Sequence, residues 1–227
     1  MSENKEYLPF VIKEEDRLSV CGFVRRDIAH SSFRIPHISV NIVPVIRGTE
    51  KTILQKRSKK RKIDPSNYDF NGGHVIYEPV LLSDNPKALE LANDKTALRE
   101  TREEIAVSND GRPYVFSSRD LIRFTKVGEL LTGFDDPGSI NVGYMTGYIL
   151  FIPIDSTIIV SDENEDGTNE ELSYEEIDIS QIVALFKENP SKFASGATAV
   201  LKELSNTKSD AYNRFWHIIN LNKNKNI

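Results

Sequence analysis

The chain has 227 residues, 39% of them hydrophobic and 28% charged, with a formal net charge of -5. That length suffices for one large domain with a substantial core, and the acidic balance argues against a dedicated nucleic-acid binder. One cysteine, Cys21, excludes an intramolecular disulfide and a cysteine-based zinc site, and it reads as a small buried apolar side chain. Met1–Glu6 lacks the basic-then-apolar pattern of a secretory signal and no apolar run approaches transmembrane length, so a cytoplasmic protein with no membrane partner is expected.

In chain order, Tyr7 to Phe23 alternates apolar and charged residues and reads as a hairpin leading into the domain. A polar, turn-prone segment from Arg25 to His37 follows, and then Ile38 to Ile46, a β-branched run expected as a buried central strand. Thr52 to Gln55 is its expected partner. Lys56 to Lys62 holds six basic residues in seven, with no aromatic interleaving. A solvated loop is the ordinary meaning, and steering of an anionic substrate is the functional one, with Arg57 a candidate contact. Asp64–Asn67 is a turn.

Asp69-Phe70-Asn71-Gly72-Gly73-His74-Val75 reads as a Gly-Gly turn opening a strand-like run from His74 to Tyr77. Glycines there let the backbone approach a ligand closely. Asn85-Pro86 has the pattern of a helix N-cap followed by proline at the first helical position. The run Arg99 to Val107, read as a helix, gathers Glu100, Glu103 and Glu104 within a sector of about 100°. Leu91, Leu98 and Ile105 would form an apolar stripe on another side. Arg99 stands four residues before Glu103, close enough to orient or neutralise a carboxylate. A solvated charged face is the commoner meaning of such a run. A hard divalent cation is the alternative, because three clustered carboxylates repel each other without one.

After the helix, Ser108–Pro113 reads as a loop, Phe124–Leu131 and Ile140–Ile154 as strands, and Thr132–Gly138 as a loop able to wall a pocket. Ser161–Glu171 is acidic and reads as a mobile loop, with a short strand about Leu172 and Tyr174. Ser180–Glu188 and Phe193–Leu204 read as helices separated by Pro190. Ala211, Tyr212, Phe215, Trp216 and Ile219 share one face of a last amphipathic helix, ahead of a tail, Asn220–Ile227, expected to be disordered. The hairpin and that aromatic face are candidate homodimer interfaces.

A Gly-Gly element followed by a helix bearing R-E-x-x-E-E resembles the Nudix family of hydrolases. Arg99, Glu100, Glu103, Glu104 and Val107 match its box, while Thr101 and Ala106 stand where the family has an apolar residue and a glycine. Gly73 to Arg99 spans 26 positions, twelve more than the family's spacing, and the first box glutamate has no clear counterpart. The resemblance implies an α/β/α sandwich with a mixed β-sheet and the box helix packed on it. Residues 1–227 would then be one domain, with an N-terminal β extension (about 7–35) and C-terminal helices (about 180–220). It further implies a metal-dependent hydrolase acting on a small-molecule nucleoside diphosphate derivative with Mg2+ or Mn2+. The metal ligands implied are the Gly72 carbonyl, Glu103 and Glu104, with Glu100 as a third ligand or the base. Arg99 would position a carboxylate, Gly73 would meet substrate, and Glu170, Glu171, Asp135 or Asp136 could supply a further acid.

His30, His37 and His74 resemble the imidazole set of the Nudix branch that includes isopentenyl diphosphate isomerases, and imply a possible second metal, of the transition series. That branch's cysteine and paired acids are absent: Asn71 and Gly72, and Asn141 to Tyr144, stand in their places. A nucleotide-sensing Nudix domain without turnover is the other alternative.

Overall fold

A computed structural model describes residues 6–15, 17–61, 64–82, 85, 87–163 and 169–224. β1 (Tyr7–Glu14) and β2 (Arg17–Arg25) form the expected antiparallel hairpin, followed by a short helix, α1 (Arg26–Ala29). β3 (His37–Ile46) is buried at every position, because β-branched residues on both pleat faces suit a strand covered on both sides. β4 (Lys51–Lys56), β5 (Tyr68–Asp69) and β6 (Asn71–His74) come next, then α2 (Ala88–Glu104). β7 (Ile105–Asn109), β8 (Arg112–Tyr114), β9 (Leu121–Arg123), β10 (Leu130–Thr132) and β11 (Gly143–Ile152) follow. The chain continues through β12 (Thr157–Glu163), β13 (Asn169–Leu172), β14 (Tyr174–Asp178), α3 (Ile179–Glu188), α4 (Ser195–Ser205) and α5 (Asp210–Asn224).

Ten of these strands form a mixed sheet with β3 at its centre, paired parallel to β11 from Gly143↔His37 to Ile152↔Ile46 and antiparallel to β6. Its two faces are covered differently. Val43, Val45, Ile149 and Phe151 face α3, α4 and α5, whereas Val40, Ile42, Leu150 and Ile152 face α2 and the smaller sheet β13-β12-β7-β8. The helices on both sides give the expected α/β/α layering. Among the described residues no helix is long and apolar enough to cross a membrane.

Several expectations are corrected. α2 ends at Glu104, because β-branched Ile105 turns extended and pairs with Val160 of β12. Leu91, Leu98 and Ile105 are therefore not a helix stripe, and Leu91 is half exposed. α2 instead buries Ala88, Ala92, Ala97 and Thr101, small side chains that let it lie close to the sheet. The Gly-Gly pair is extended strand rather than turn, and the strand ends at His74 instead of continuing to Tyr77. Asn85 accepts the Lys87 N–H in a local turn, with α2 beginning later at Ala88; Pro86 lies outside the described residues.

Ser108–Pro113 is a hairpin, β7–β8, around Asp110 and Gly111 at positive φ. Most of Phe124–Leu131 is not strand but the connection between β9, which ends at Arg123, and β10, which begins at Leu130, with a turn closed by the Glu129 N–H on the Lys126 carbonyl. β12 and β13 make a hairpin of most of the acidic Ser161–Glu171 segment, whose residues 164–168 lie outside the described set. Thr52–Gln55 pairs along its length with β14 and meets β3 at Val45↔Thr52. Cys21 is exposed, since β2 is the sheet's outer strand. α5 continues through the expected tail to Asn224.

The aromatic face of α5 is core: Ala211, Phe215 and Ile219 are fully buried, and Phe215 meets Phe124 edge-on at 5.1 Å. Phe215→Ala is expected to cost about 3–5 kcal/mol of stability, read as a lower urea midpoint at unchanged slope.

Candidate metal and phosphate site

β6 is short and bears no side chain at its centre, and both absences matter. A Cβ on Gly72 would lie 2.4 Å from the Val40 carbonyl oxygen, and one on Gly73 would lie 2.2 Å from Cδ of Glu100. Glycine is therefore required by close approach, of β3 on one side and α2 on the other. In the Asn41↔Gly72 pair of this antiparallel ladder, the Gly72 N–H turns away from β3 and donates to Glu104 Oε2 at 3.3 Å. The N–H and C=O of one strand residue point to the same edge, so the Gly72 carbonyl also projects from the free edge of β6.

The carboxylates of α2 meet that edge. Glu104 Oε2 also accepts from Asn71 Nδ2 at 3.0 Å. Burial, then the charge of Glu100, pushes Glu104 up to about 8. Burial also pushes Glu100 up to about 7, with Arg99 opposing it and Glu103 adding to it. Arg99 bridges its neighbours: its guanidinium lies 2.5 Å from Glu100 Oε1, donates to Glu103 Oε2 at 3.3 Å, and donates to the His74 carbonyl. Glu103 is exposed, whereas Glu100 is buried and Glu104 half-buried. These groups line a cavity of about 520 Å³ with Arg57, Arg61, Asn41, Asp69, Ser195 and Gly196.

The three histidines come together from the end of α1, the start of β3 and the end of β6, and His30 and His74 line the same cavity. Their ligand nitrogens lie within 4.8 Å of one another, and among the described residues they are the group of three metal-ligating side chains so gathered. Nδ1 of His37 lies 3.0 Å from the Ile35 carbonyl, which fixes the proton there and leaves Nε2 with its lone pair, 3.2 Å from His30 Nε2. Burial, with repulsion from His37 and Arg26, lowers His30 to about 4 and His74 well below its ordinary value; burial also lowers His37. Neutral imidazoles facing each other suit a transition-metal cation.

Of the other expected site residues, Arg57 binds Asp69 at 2.7 Å, and its buried Nε has no partner among the described residues. The alternative acids lie elsewhere. Glu170 accepts from Ser58, Asp135 pairs with Lys202, and neither these nor Glu171 and Asp136 line the cavity. The Thr132–Gly138 loop does not wall it either, because Arg34 holds the carbonyls of Gly133, Asp136 and Pro137. Asn141 was missed: it lines the cavity and hydrogen-bonds to His37 and His74 from a loop without any local pattern. Asn41 was missed too, although a polar residue inside Ile38–Ile46 was a visible signal.

No family model and no curated protein matches the chain. Among solved structures it is similar to DR0079 from Deinococcus radiodurans, at 17% identity over 87% of this chain and 98% of that one, with a TM-score of 0.52. A Nudix hydrolase from Alicyclobacillus acidocaldarius matches at 16% identity over 74% of this chain and 90% of that one, with a TM-score of 0.46. A bifunctional NMN adenylyltransferase/ADP ribose pyrophosphatase from Francisella tularensis matches at 10% identity over 75% of this chain and 41% of that one, with a TM-score of 0.45. The chain thus shares the mixed α/β fold of DR0079.

The raised carboxyls link stability to pH. Unfolded, Glu100 and Glu104 lose their protons near 4.5; folded, they keep them to about 7 and about 8. The folded state therefore binds more protons above 4.5, and stability falls as pH rises toward 8. The imidazoles act oppositely, but below 6.5, where the unfolded chain takes up protons that the folded one refuses. The carboxyl effect stands clear of theirs from pH 6.5 to 8. In chelator, the melting temperature is expected to fall across that window, and Glu104→Gln to flatten the decline.

Proposed function

We propose that this chain is a Nudix-type hydrolase, a single domain whose metal-dependent reaction cleaves a diphosphate linkage in a nucleoside diphosphate derivative. The observation that carries this is Glu104 beside Glu100 at the edge of β6, two carboxyls pushed up to about 8 and about 7. Glu104 is held by the neutral donors of Asn71 and Gly72. A carboxylate pair in which Arg99 offsets Glu100 while Glu104 has only neutral donors fits a hard divalent cation, which favours oxygen ligands and a bound phosphate. Glu103, Glu104 and the Gly72 carbonyl would hold Mg2+ or Mn2+, with Glu100 as the third ligand or the base. When bound, the ion neutralises phosphate charge and lowers the pKa of a coordinated water.

The chain's own groups do the rest. Glu100, near pH 7, can take a proton from an attacking water. Arg99 ties Glu100 and Glu103 to the His74 carbonyl and so sets their positions. Gly73 leaves the space that Glu100 occupies. Arg57 lines the cavity, and the basic segment Lys56–Lys62 that contains it draws an anionic substrate in.

The histidine cluster favours a second reading for its end of the cavity, a transition-metal site. Isomerase chemistry is not supported there, because the side chain beside the histidines is the Asn141 amide, which does not titrate and so serves as neither acid nor base.

Incubation with nucleoside diphosphate derivatives, dinucleoside polyphosphates and nucleoside triphosphates is expected to release products only with Mg2+ or Mn2+. Glu104→Gln and Glu103→Gln should each lower kcat by about 100-fold or more. Binding without turnover across the panel would make the chain a nucleotide sensor instead. Cobalt(II) titration should give a visible absorption band that His37→Gln abolishes, and an unchanged band would remove the second metal.

A further inference from the structure

Arg57 and Arg61 line the cavity, whereas Ser58 between them is 4% exposed and lies outside it. The stretch from Arg57 to Arg61 follows β4 outside any helix or strand, so individual hydrogen bonds set its shape. They converge on Ser58. Its carbonyl accepts from the Arg61 N–H at 3.3 Å, which closes a turn, and its Oγ accepts from the Lys60 N–H at 3.1 Å inside that turn. The same Oγ donates to Glu170 Oε2 at 3.0 Å, from a carboxylate on β13 in the smaller sheet.

A hydroxyl has a single proton to give, and here it goes to the carboxylate, which leaves the oxygen lone pairs for the turn. Glu170 thereby selects the Ser58 rotamer that closes Ser58–Arg61 and brings Arg61 back to the cavity wall. Arg57 has its own anchor in Asp69 at 2.7 Å, so the dependence on Glu170 falls on Arg61. Without Glu170 the buried hydroxyl would lose its acceptor, and the turn would have to open for water to replace it.

We propose that Glu170 is a positioning residue, which from outside the cavity holds Arg61 toward the phosphates of the substrate through Ser58. The sign of its effect separates positioning from plain electrostatics. Glu170 is an anion, and it also lies 3.4 Å from Lys60 Nζ, so its charge alone opposes anion binding. Removing that charge would by itself tighten binding. Losing the positioning weakens it.

The proposal rests on the diphosphate reading above, and the two fail separately. Calorimetric titration of the full chain, with Mg2+ present, would use methylenediphosphonate and, as a single phosphate, inorganic phosphate. Glu170→Ala and Ser58→Ala are each expected to weaken methylenediphosphonate about tenfold. Glu170→Gln keeps an amide oxygen that can accept from Ser58, and it should bind within about twofold of the unmodified chain. In an Arg61→Ala background, Glu170→Ala should no longer weaken binding. If Ser58→Ala fails to fold, judged by its thermal transition, Glu170→Ala decides. Unchanged or tighter binding by Glu170→Ala, an equal loss in Glu170→Gln, or the same loss with Arg61 already removed overturns the proposal. Inorganic phosphate binding that depends on Glu170, with methylenediphosphonate unbound, upholds the positioning role and overturns the diphosphate reading. Binding of neither anion overturns both.

Discussion

The close approach of α2 to the glycine strand β6 is the constraint on which the site depends. Glu100 fills the volume that a side chain at Gly73 would need, and Gly72 N–H reaches Glu104 from the strand's free edge. Such proximity requires smallness on both partners. β6 gives up two side chains, and α2 gives up large apolar ones, burying Ala88, Ala92, Ala97 and Thr101 in their place. A helix bearing leucines on that face would stand farther off, and its carboxylates would then be solvated rather than gathered.

Bringing acids this close together out of water raises their pKa values, and the fold accepts that destabilisation at the point where chemistry would use it. Arg99 relieves only Glu100 and Glu103. The histidines show the same strategy with a different ligand: three imidazoles from three elements, kept neutral by burial, with the His37 tautomer set by a backbone carbonyl. The remaining polar groups of the cavity, on the α4 side, are neutral or already paired. One cavity thus carries carboxylates, imidazoles and amides, with β3 supplying Ser39 to Asn41 to its wall and His37 to the histidine cluster.

Much of the architecture was legible because it follows from local pattern. The apolar run of β3, the alternation of the N-terminal hairpin and the amphipathic periodicity of α3, α4 and α5 each record a face or period that burial imposes. The carboxylates and histidines were legible as residue types at telling spacings. The errors fell where side-chain identity underdetermines conformation. Ile105 to Val107 suits a helix or a strand, and pairing with β12 decided for the strand. Gly72-Gly73 suits a turn or an extended segment, and β3 decided for the latter. Cys21 is apolar enough to be core, but it lies on a strand at the edge of the sheet.

The sequence by itself determined which groups are available for chemistry: a cluster of glutamates with an arginine, a glycine pair and three histidines, on a chain able to form a layered α/β fold. Tertiary structure decided which of them meet. It left Asp135, Asp136, Glu170 and Glu171 outside the cavity, and it brought in Asn41, Asn71 and Asn141, amides whose type alone assigns them no role. The physical reason is that pairing partners and close approach are set by long-range packing. A residue's type records what it can bind, while its depth and its neighbours are fixed only when distant segments fold against it.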